Sequence, residues 1–426
     1  MEAPNSGIDD LRADVRAWVD ANWDARMTVR AWWELLAESG WAYPTWPKQW
    51  FGLGVSADEA AAVGQELHAA GVAMPPHSQA QTMAAPLILE YGSEEQKHRW
   101  MRTLATGAES WCQFFSEPNA GSDLASLQTR AVRDGDEWVV NGQKVWNGGA
   151  NEAERGILVA RTDSSLPKHR GLSFFVIDVD QPGVEIRPIR QINGDAHFNE
   201  SFFSDARVAD SDTIGGLNNG WLLAMATLAF ERAAYAVGAH YGVGIPCGEK
   251  PGYLDMPVGD AMQRAASVRT GAPSFPMGDA LAIAALAAEA GCVGDAIIRQ
   301  RIAQLYMMGE TARLTTLRAR AAADAGKPSG AESSIAHLAG VHIARASRDL
   351  GLAILGAGGM LADADAPRGG SVTHMALTSL CHGIQGGTEH VQRNIIGERI
   401  LGLPKEPQVD RDIPFRELMV GTRRAD

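Results

Sequence analysis

The sequence predicts an α+β protein built from a helical N-terminal domain, a middle β-domain and a C-terminal helical bundle. Helical periodicity of apolar residues fills residues 1–110. Short β-branched and aromatic runs, separated by Gly, Pro, Asn and Asp, fill residues 111–217. Long alanine-rich periodic segments fill residues 218–426. A chain of 426 residues has room for three layered domains, so we expect these three ranges to be the domains.

Two features predict helices in the N-terminal domain. Residues 11–19 place their apolar side chains on one helical face. Residues 93–96 read Ser-Glu-Glu-Gln, a capping box in which the first and fourth side chains satisfy each other's backbone N–H groups. A helix is therefore expected to begin at this box and to run through Trp100 and Leu104.

Turn signals organise the middle domain. An Asp-Gly pair at 134–135 and an Asn-Gly pair at 141–142 are typical of tight hairpin turns. With strands at 137–140 and from 144 onward, they predict a β-meander. Further strands are expected at 156–160, 172–177, 184–186 and 200–203.

The C-terminal domain is expected to consist of long helices. Apolar periodicity predicts helices at 280–290, 297–323 and 333–357. Residues 244–278 interrupt this pattern because proline and glycine recur throughout them, so we expect an irregular excursion there between two helices.

Composition and charge exclude several classes of protein. The net charge of −13, with no cluster of Lys and Arg, argues against nucleic-acid binding. The four cysteines show no Cys-x-x-Cys spacing, and no His-x-x-x-His pair occurs, so neither disulfides nor a metal site are expected. The sequence shows no secretory signal pattern and no apolar run of the ~20 residues that span a bilayer. We expect a cytoplasmic protein without a membrane span.

The most informative segment is residues 115–123, which read Phe-Ser-Glu-Pro-Asn-Ala-Gly-Ser-Asp. A loop of glycine and small hydroxyl residues after a strand can bring N–H and hydroxyl groups against a phosphate or the edge of a flavin. The segment resembles the Ser/Thr-Glu-x-x-x-Gly-Ser-Asp motif of the acyl-CoA dehydrogenase flavoproteins. The turn signals, residues 144–146 and residues 159–163 follow in the order found in that family, and the resemblance extends over residues 10–405.

The resemblance implies bound FAD in a cleft between the β-domain and the C-terminal bundle. It assigns cofactor contacts to Phe115, Ser116, Trp146, Gly148 and Thr388, with Ser116 near the flavin ring and Trp146 packed on the isoalloxazine. Family members usually carry Ser or Thr where this chain has Gly148. That contact is therefore weakened here, or another residue supplies it.

The resemblance also implies where an acyl-CoA substrate binds and which residue removes its proton. Ser122, Arg232 and Gly386 take substrate-binding positions, with Ser122 toward the CoA phosphates. Many relatives carry the catalytic glutamate where this chain has Gly386, and glycine cannot accept a proton. Others carry it on a helix immediately before an arginine, which matches Glu231, so we predict Glu231 as the base.

Two alternatives to that assignment remain open at this stage. Glu231 could pair with a nearby arginine and take no part in the chemistry. Glu389 is a weaker candidate for the base because it stands at a different place in the motif around Gly386.

Elements that reach the flavin of a neighbouring subunit are altered. The family's Arg-x-x-Phe-Gly is replaced by the 244–278 excursion, and Ala353 stands where Gln is expected. The leading interpretation is an FAD-dependent acyl-CoA dehydrogenase of lipid β-oxidation, a homo- or heterotetramer that passes electrons to an electron-transfer flavoprotein. The alternative is a non-catalytic or half-site partner subunit of a heteromeric acyl-CoA dehydrogenase. Oxidase relatives share the fold, and the sequence does not separate them.

Overall fold

A computed structural model describes residues 6–236, 244–271, 275–324, 332–362, 365–420 and 423–424. The N-terminal part is helical: α1 (Ser6–Asn22), α2 (Val29–Ser39), α3 (Ala57–Ala69), α4 (Ala85–Tyr91) and α5 (Glu94–Thr106). A π-helical turn, Ala80–Ala84, leads directly into α4. The predicted capping box is confirmed, because Ser93 and Gln96 each accept a hydrogen bond from the other's backbone N–H group.

The middle part is a mixed sheet of eight strands. They are β1 (Trp111–Phe114), β2 (Arg130–Asp134), β3 (Glu137–Gly148), β4 (Arg155–Arg161), β5 (Leu172–Asp178), β6 (Val184–Ile189), β7 (Phe198–Ala209) and β8 (Thr213–Ile214). The strand order is β6-β7-β3-β2-β4-β5-β8, with β1 parallel to β4. Alternation along β1 sends Trp111 and Phe115 into a core shared with the helices, and Cys112 and Phe114 into a separate core cluster.

One predicted hairpin is wrong. The Asp134–Gly135 turn joins β2 to β3 as expected, but Asn141 and Gly142 lie inside the continuous strand β3, where its register against β7 shifts. A Cβ atom on Gly142 would lie 2.3 Å from Thr129 Oγ1. Gly142 is thus needed for close approach, and the long pairing of β3 with β7 overrides the local preference for a turn.

The C-terminal part is again helical. Its helices are α6 (Gly220–Ala236), α7 (Val258–Gly271), α8 (Ala280–Glu289), α9 (Ala296–Asp324), α10 (Glu332–Leu355), α11 (Ser371–Thr378) and α12 (Glu389–Arg399). A short hairpin of β9 (Met419–Val420) and β10 (Arg423–Arg424) follows them. Helices, a mixed sheet and helices in this order confirm the predicted α+β class.

The expectation of irregular structure across 244–278 is wrong for its second half. Residues 244–257 form turns, but α7 follows, with Pro257 directly before its first residue, where a missing N–H costs nothing. Residues 272–274 lie outside the described residues. The first half binds α2, since Val29 N donates to Met256 O (3.0 Å) and Arg30 N to Leu254 O (2.9 Å).

The domain boundaries at residues 110 and 217 remain a proposal. They fall in the intervals between α5 and β1 and between β8 and α6. In the described part of the chain, no helix is both long and apolar enough to cross a membrane.

Candidate active site

The loop at 115–126 is held by a buried ion pair. The Lys144 side chain is fully buried on β3, and its Nζ donates to Phe115 O and to Glu117 Oε1, both at 2.9 Å. Glu117 also accepts hydrogen bonds from the backbone N–H groups of Gln128 (2.6 Å) and Thr129 (2.9 Å). Burial opposes the charge on Glu117, but Lys144 and these amides hold its pKa below the usual range. Glu117 therefore fixes the loop.

A buried arginine holds the other end of the loop. Arg161 donates to Ala125 O (2.7 Å), to Leu127 O (3.3 Å) and to Lys168 O (3.2 Å). Its guanidinium lies 3.4 Å from the centre of the Phe415 ring. Burial lowers the pKa of Arg161 to about 10. Lys144 and Arg161 are part of the family pattern in the sequence, but the sequence did not predict that they are buried and hold the loop, because no local motif marks a buried cation.

The two serines of the loop keep their hydroxyls accessible. Ser116 is half-buried, and no described residue hydrogen-bonds its hydroxyl, while its carbonyl accepts from Val145 N (2.9 Å). Ser122 is exposed beside Asp123, and Lys168 Nζ lies 3.1 Å from Asp123 Oδ2. Both hydroxyls can therefore meet a ligand.

Trp146 lies at a bulge in β3, and its side chain is exposed. Its φ is 64°, a left-handed conformation that costs a bulky residue roughly 1–3 kcal/mol, and the register against β7 shifts at this point. The indole is 58% exposed and meets Phe198 edge-on at 6.2 Å. Asn147 is buried beside it and donates to Gln113 O at 2.7 Å. The bulge thus presents a fixed aromatic face, which suits a planar ring.

Unsatisfied polar groups occur on residues that contact the end of β3. Two buried atoms, Gln79 Oε1 and Gln113 Nε2, have no hydrogen-bond partner among the described residues. A Cβ atom on Gly148 would lie 3.2 Å from Gln79 Nε2. An exposed indole on β3, together with an unpaired acceptor and an unpaired donor on residues that contact the same strand, fits the flavin ring that the resemblance implies, because that ring has a flat apolar face and a polar edge.

Glu231 is a carboxyl group whose pKa is raised by burial. It lies half-buried near the end of α6, and among the described residues no Lys, Arg or His is within ion-pair distance of it. Burial raises its pKa to about 7, and the charge of Arg232 opposes this only in part. The alternative, an ion pair with an arginine, would lower that pKa and is not supported.

The Gly386 loop lies against α10. Gly386 has a φ of 64°, and a Cβ atom there would lie 3.2 Å from His337 Cε1. The Nε2 atom of Gln392 donates to Gly386 O at 2.9 Å. Burial lowers the pKa of His337, and the charges of His382 and Arg232 lower it further. A side chain at 386 would therefore crowd the imidazole, and the sequence did not predict this contact between His337 and Gly386.

The remaining candidates of this motif have structural partners. Glu389 Oε2 lies 2.9 Å from Arg345 Nη1, and this partner lowers the pKa of Glu389, which makes it a poor base. Thr388 is the N-cap of α12, and its hydroxyl accepts from Val391 N at 3.2 Å. Neither residue offers a free group comparable to that of Glu231.

The structure brings the candidates into two groups. Phe115 and Ser116 lie in the loop after β1, and Trp146 and Gly148 lie on β3. Glu231 and Arg232 lie on α6, whereas Gly386 and Thr388 lie in the loop before α12. Helix α6 packs against β4 and β5, which joins the two groups. A second link runs from the loop before β7 to α11, where Asn193 Nδ2 donates to Thr378 Oγ1 (3.0 Å). Ser122 lies at the exposed end of the loop after β1.

Comparison with known sequences identifies relatives over most of the chain. Models of the acyl-CoA dehydrogenase N-terminal, middle and C-terminal domains match residues 9–108, 112–206 and 278–401. Acyl-CoA dehydrogenase IpdE1 of Mycobacterium tuberculosis is 30% identical over 94% of this chain and 98% of its own length. Acyl-CoA dehydrogenase FadE34 of the same organism is 38% identical over 87% of this chain, which spans only 46% of that relative.

Solved structures show the same fold. The Tcur3481–Tcur3483 steroid ACAD superimposes with a TM-score of 0.70 at 27% identity, covering 95% of this chain and all of the other. The ChsE4–ChsE5 complex from Mycobacterium tuberculosis gives a TM-score of 0.67 at 26% identity, covering 96% of this chain and all of the other.

Replacing Lys144 with Met should destabilise the protein by about 3–5 kcal/mol, because it leaves Glu117 charged, buried and without its cation. Urea unfolding of the flavin-free protein would measure this loss. The matched control is Lys97→Met, since Lys97 pairs with Glu94 at the surface and should contribute little. Equal unfolding midpoints for Lys144→Met and wild type would contradict the role of the buried pair.

Proposed function

The chain belongs to the acyl-CoA dehydrogenase family, and we propose that it uses FAD to oxidise an acyl-CoA thioester to the 2-enoyl-CoA. The observation that carries this proposal is Glu231, a carboxyl group without an ion-pair partner among the described residues, whose pKa burial raises to about 7. A general base works best when its pKa is near the working pH. An ordinary surface glutamate would be a weaker base.

Glu231 is proposed to remove the α proton of the acyl group. That proton is acidic enough only if donors stabilise the negative charge that develops on the thioester oxygen. The Gly386 N–H is proposed as one such donor, since Gln392 already fixes the orientation of the adjoining carbonyl. The charge of Arg232 partly offsets the rise in the pKa of Glu231.

The sheet side of the cleft is proposed to hold the cofactor. The exposed indole of Trp146 and the accessible hydroxyl of Ser116 support this, with Phe115, Gly148 and Thr388 as further contacts. Bound FAD supplies the acceptor for the β hydride. We propose that the electrons pass to an electron-transfer flavoprotein and that Ser122 contacts the CoA phosphates.

A second candidate function is that of a subunit in a heterotetramer. Two observations favour it: Ala353 stands where the family carries Gln, and α7 with its preceding turns stands where the family carries Arg-x-x-Phe-Gly. One solved neighbour is a complex of two named proteins, ChsE4 and ChsE5. A related chain could supply the missing cofactor contacts from across an interface. A tetramer in the cytoplasm, with β-oxidation as its setting, belongs to the same proposal.

The Glu231→Gln enzyme should keep its flavin and lose at least ~10²–10⁴-fold in the rate of substrate oxidation, because the amide cannot accept a proton. Stopped-flow reduction of the bound flavin by a panel of acyl-CoA thioesters measures that rate. Glu389→Gln is the control, and its rate should stay close to wild type because Arg345 already occupies that carboxylate. A fully active Glu231→Gln enzyme would refute the assignment.

The pH dependence of kcat/KM should follow the ionisation of Glu231. Because only the carboxylate can accept a proton, kcat/KM should rise about tenfold per pH unit at low pH and level off above about 7. Replacing Arg232 with Met should move this midpoint upward, since Arg232 lowers the pKa of Glu231. A midpoint near 4.5, the ordinary pKa of a glutamate, would contradict the role of Glu231.

The heterotetramer predicts low flavin content when this chain is expressed alone. A charge-assisted hydrogen bond to the cofactor is worth ~1.5–3 kcal/mol, so a homo-oligomer without it should retain FAD at least about tenfold less tightly. Absorbance and light scattering would give flavin per chain and assembly size. A stable homotetramer with one tightly bound FAD per chain would exclude the heterotetramer and leave the dehydrogenase proposal intact.

A further inference from the structure

We propose that the side-chain amide of Gln79 is a flavin-positioning group that replaces the hydroxyl missing at Gly148. The inference rests on the proposed FAD-dependent function. It concerns a residue on the N-terminal side of the cleft, outside the Ser116–Asp123 motif and outside the helices that carry Glu231.

The backbone around Gln79 is fixed independently of any ligand. Ser78 N and Ser78 Oγ both donate to Gln81 Oε1, at 2.9 Å and 2.8 Å. Gln81 Nε2 in turn donates to Leu104 O at 2.8 Å, which ties the segment to α5. Gln79 directly precedes the π-helical turn Ala80–Ala84, a rare geometry that often occurs at functional sites. The Gln79 side chain has no part in this network.

The amide of Gln79 lies directly over Gly148. Its Nε2 atom would be 3.2 Å from a Cβ atom on residue 148, which is tighter than ordinary van der Waals contact. Gly148 cannot shift to make room, because it pairs with Phe198 at the end of the β3–β7 ladder. A side chain at 148 would therefore crowd the amide of Gln79, which would have to shift by a few tenths of an ångström.

Two buried polar atoms near Gly148 lack partners. Gln79 Oε1 is an unpaired acceptor, and Gln113 Nε2 is an unpaired donor, among the residues that the structure describes. Gln113 lies on the same face of β1 as Trp111, which enters the core shared with the helices, and its carbonyl accepts from Asn147 Nδ2 at 2.7 Å. Each unpaired buried group lowers the stability of the protein by roughly 1–3 kcal/mol. A ligand that hydrogen-bonds to both groups would recover this free energy.

The flavin ring has the matching chemistry. The pyrimidine edge of an isoalloxazine carries an N–H donor together with carbonyl and ring-nitrogen acceptors. An acceptor from Gln79 and a donor from Gln113 can therefore both be satisfied by one ligand. Trp146, two residues before Gly148 on β3, meets the ring of Phe198, which is the cross-strand partner of Gly148. Gln79 thus offers the flavin a polar side-chain group from a helical segment, beside the position at which family members carry a hydroxyl on the strand.

The first test measures FAD binding to the refolded apoprotein of the full chain by fluorescence quenching. Gln79→Ala should raise the dissociation constant of FAD about tenfold or more. A tenfold change corresponds to one hydrogen bond of about 1.4 kcal/mol. The substitution should also change the shape of the visible flavin spectrum. The control is Gln65→Ala, the same substitution at an exposed glutamine of α3, which should bind FAD like wild type.

The thermal stability of the apoprotein separates a positioning role from a structural one. Because Gln79 Oε1 has no partner among the described residues, Gln79→Ala should leave the melting temperature of the apoprotein unchanged or raise it. The stabilisation produced by added FAD should shrink. A lower melting temperature of the apoprotein with an unchanged FAD-induced shift would overturn the proposal.

A pair of compensating substitutions tests the competition at residue 148. Gly148→Ser alone should weaken FAD binding because its Cβ displaces the Gln79 amide, whereas Gln79→Ala with Gly148→Ser should bind FAD more tightly than either single variant. Wild-type FAD affinity in Gln79→Ala would refute this inference and leave the proposed function standing. A wild-type chain that binds no FAD, alone or with a co-expressed related dehydrogenase, would refute both.

Discussion

The site depends on the buried ion pair between Lys144 and Glu117. It joins the loop after β1 to the long strand β3, and the Lys144 side chain is fully buried. Because separating a buried carboxylate from its cation would strongly destabilise the protein, the ion pair holds the loop in one conformation. That conformation leaves the Ser116 hydroxyl accessible and fixes the strand from which Trp146 projects. The loop and the aromatic face are therefore placed by the same contact.

The energetic pattern of the cleft is that of a site built for a ligand. Trp146 has a left-handed backbone conformation and an exposed indole. Gln79 and Gln113 each bury a polar atom that has no partner among the described residues. Burial raises the pKa of Glu231 above its ordinary value. Each of these features costs stability in the free protein. They all lie along the junction of the sheet with the helices, which is where a flavin and an acyl group would relieve them.

The sequence predicted those features of the structure that depend on local residue patterns. The three-part helix, sheet and helix order, the capping box at Ser93 and the family of the chain are confirmed, and the structure supports Glu231 as the base. The Asn141–Gly142 turn failed because pairing of β3 with β7 overrides a two-residue preference. The contacts of Lys144 with Glu117 and of His337 with Gly386 were not predicted, because these partners lie far apart in the chain and no periodicity marks a group that is defined by tertiary contacts.

The central claim is that this chain itself carries both the base and the flavin face. A crystal structure of the full chain with FAD and a non-reacting acyl-CoA analogue, together with its partner subunit if one is required, tests it most directly. We predict that the Glu231 carboxylate will lie within about 3–3.5 Å of the α carbon and that the flavin ring will lie against Trp146. An analogue whose α carbon lies beside another carboxylate, or a flavin bound away from Trp146, would contradict it.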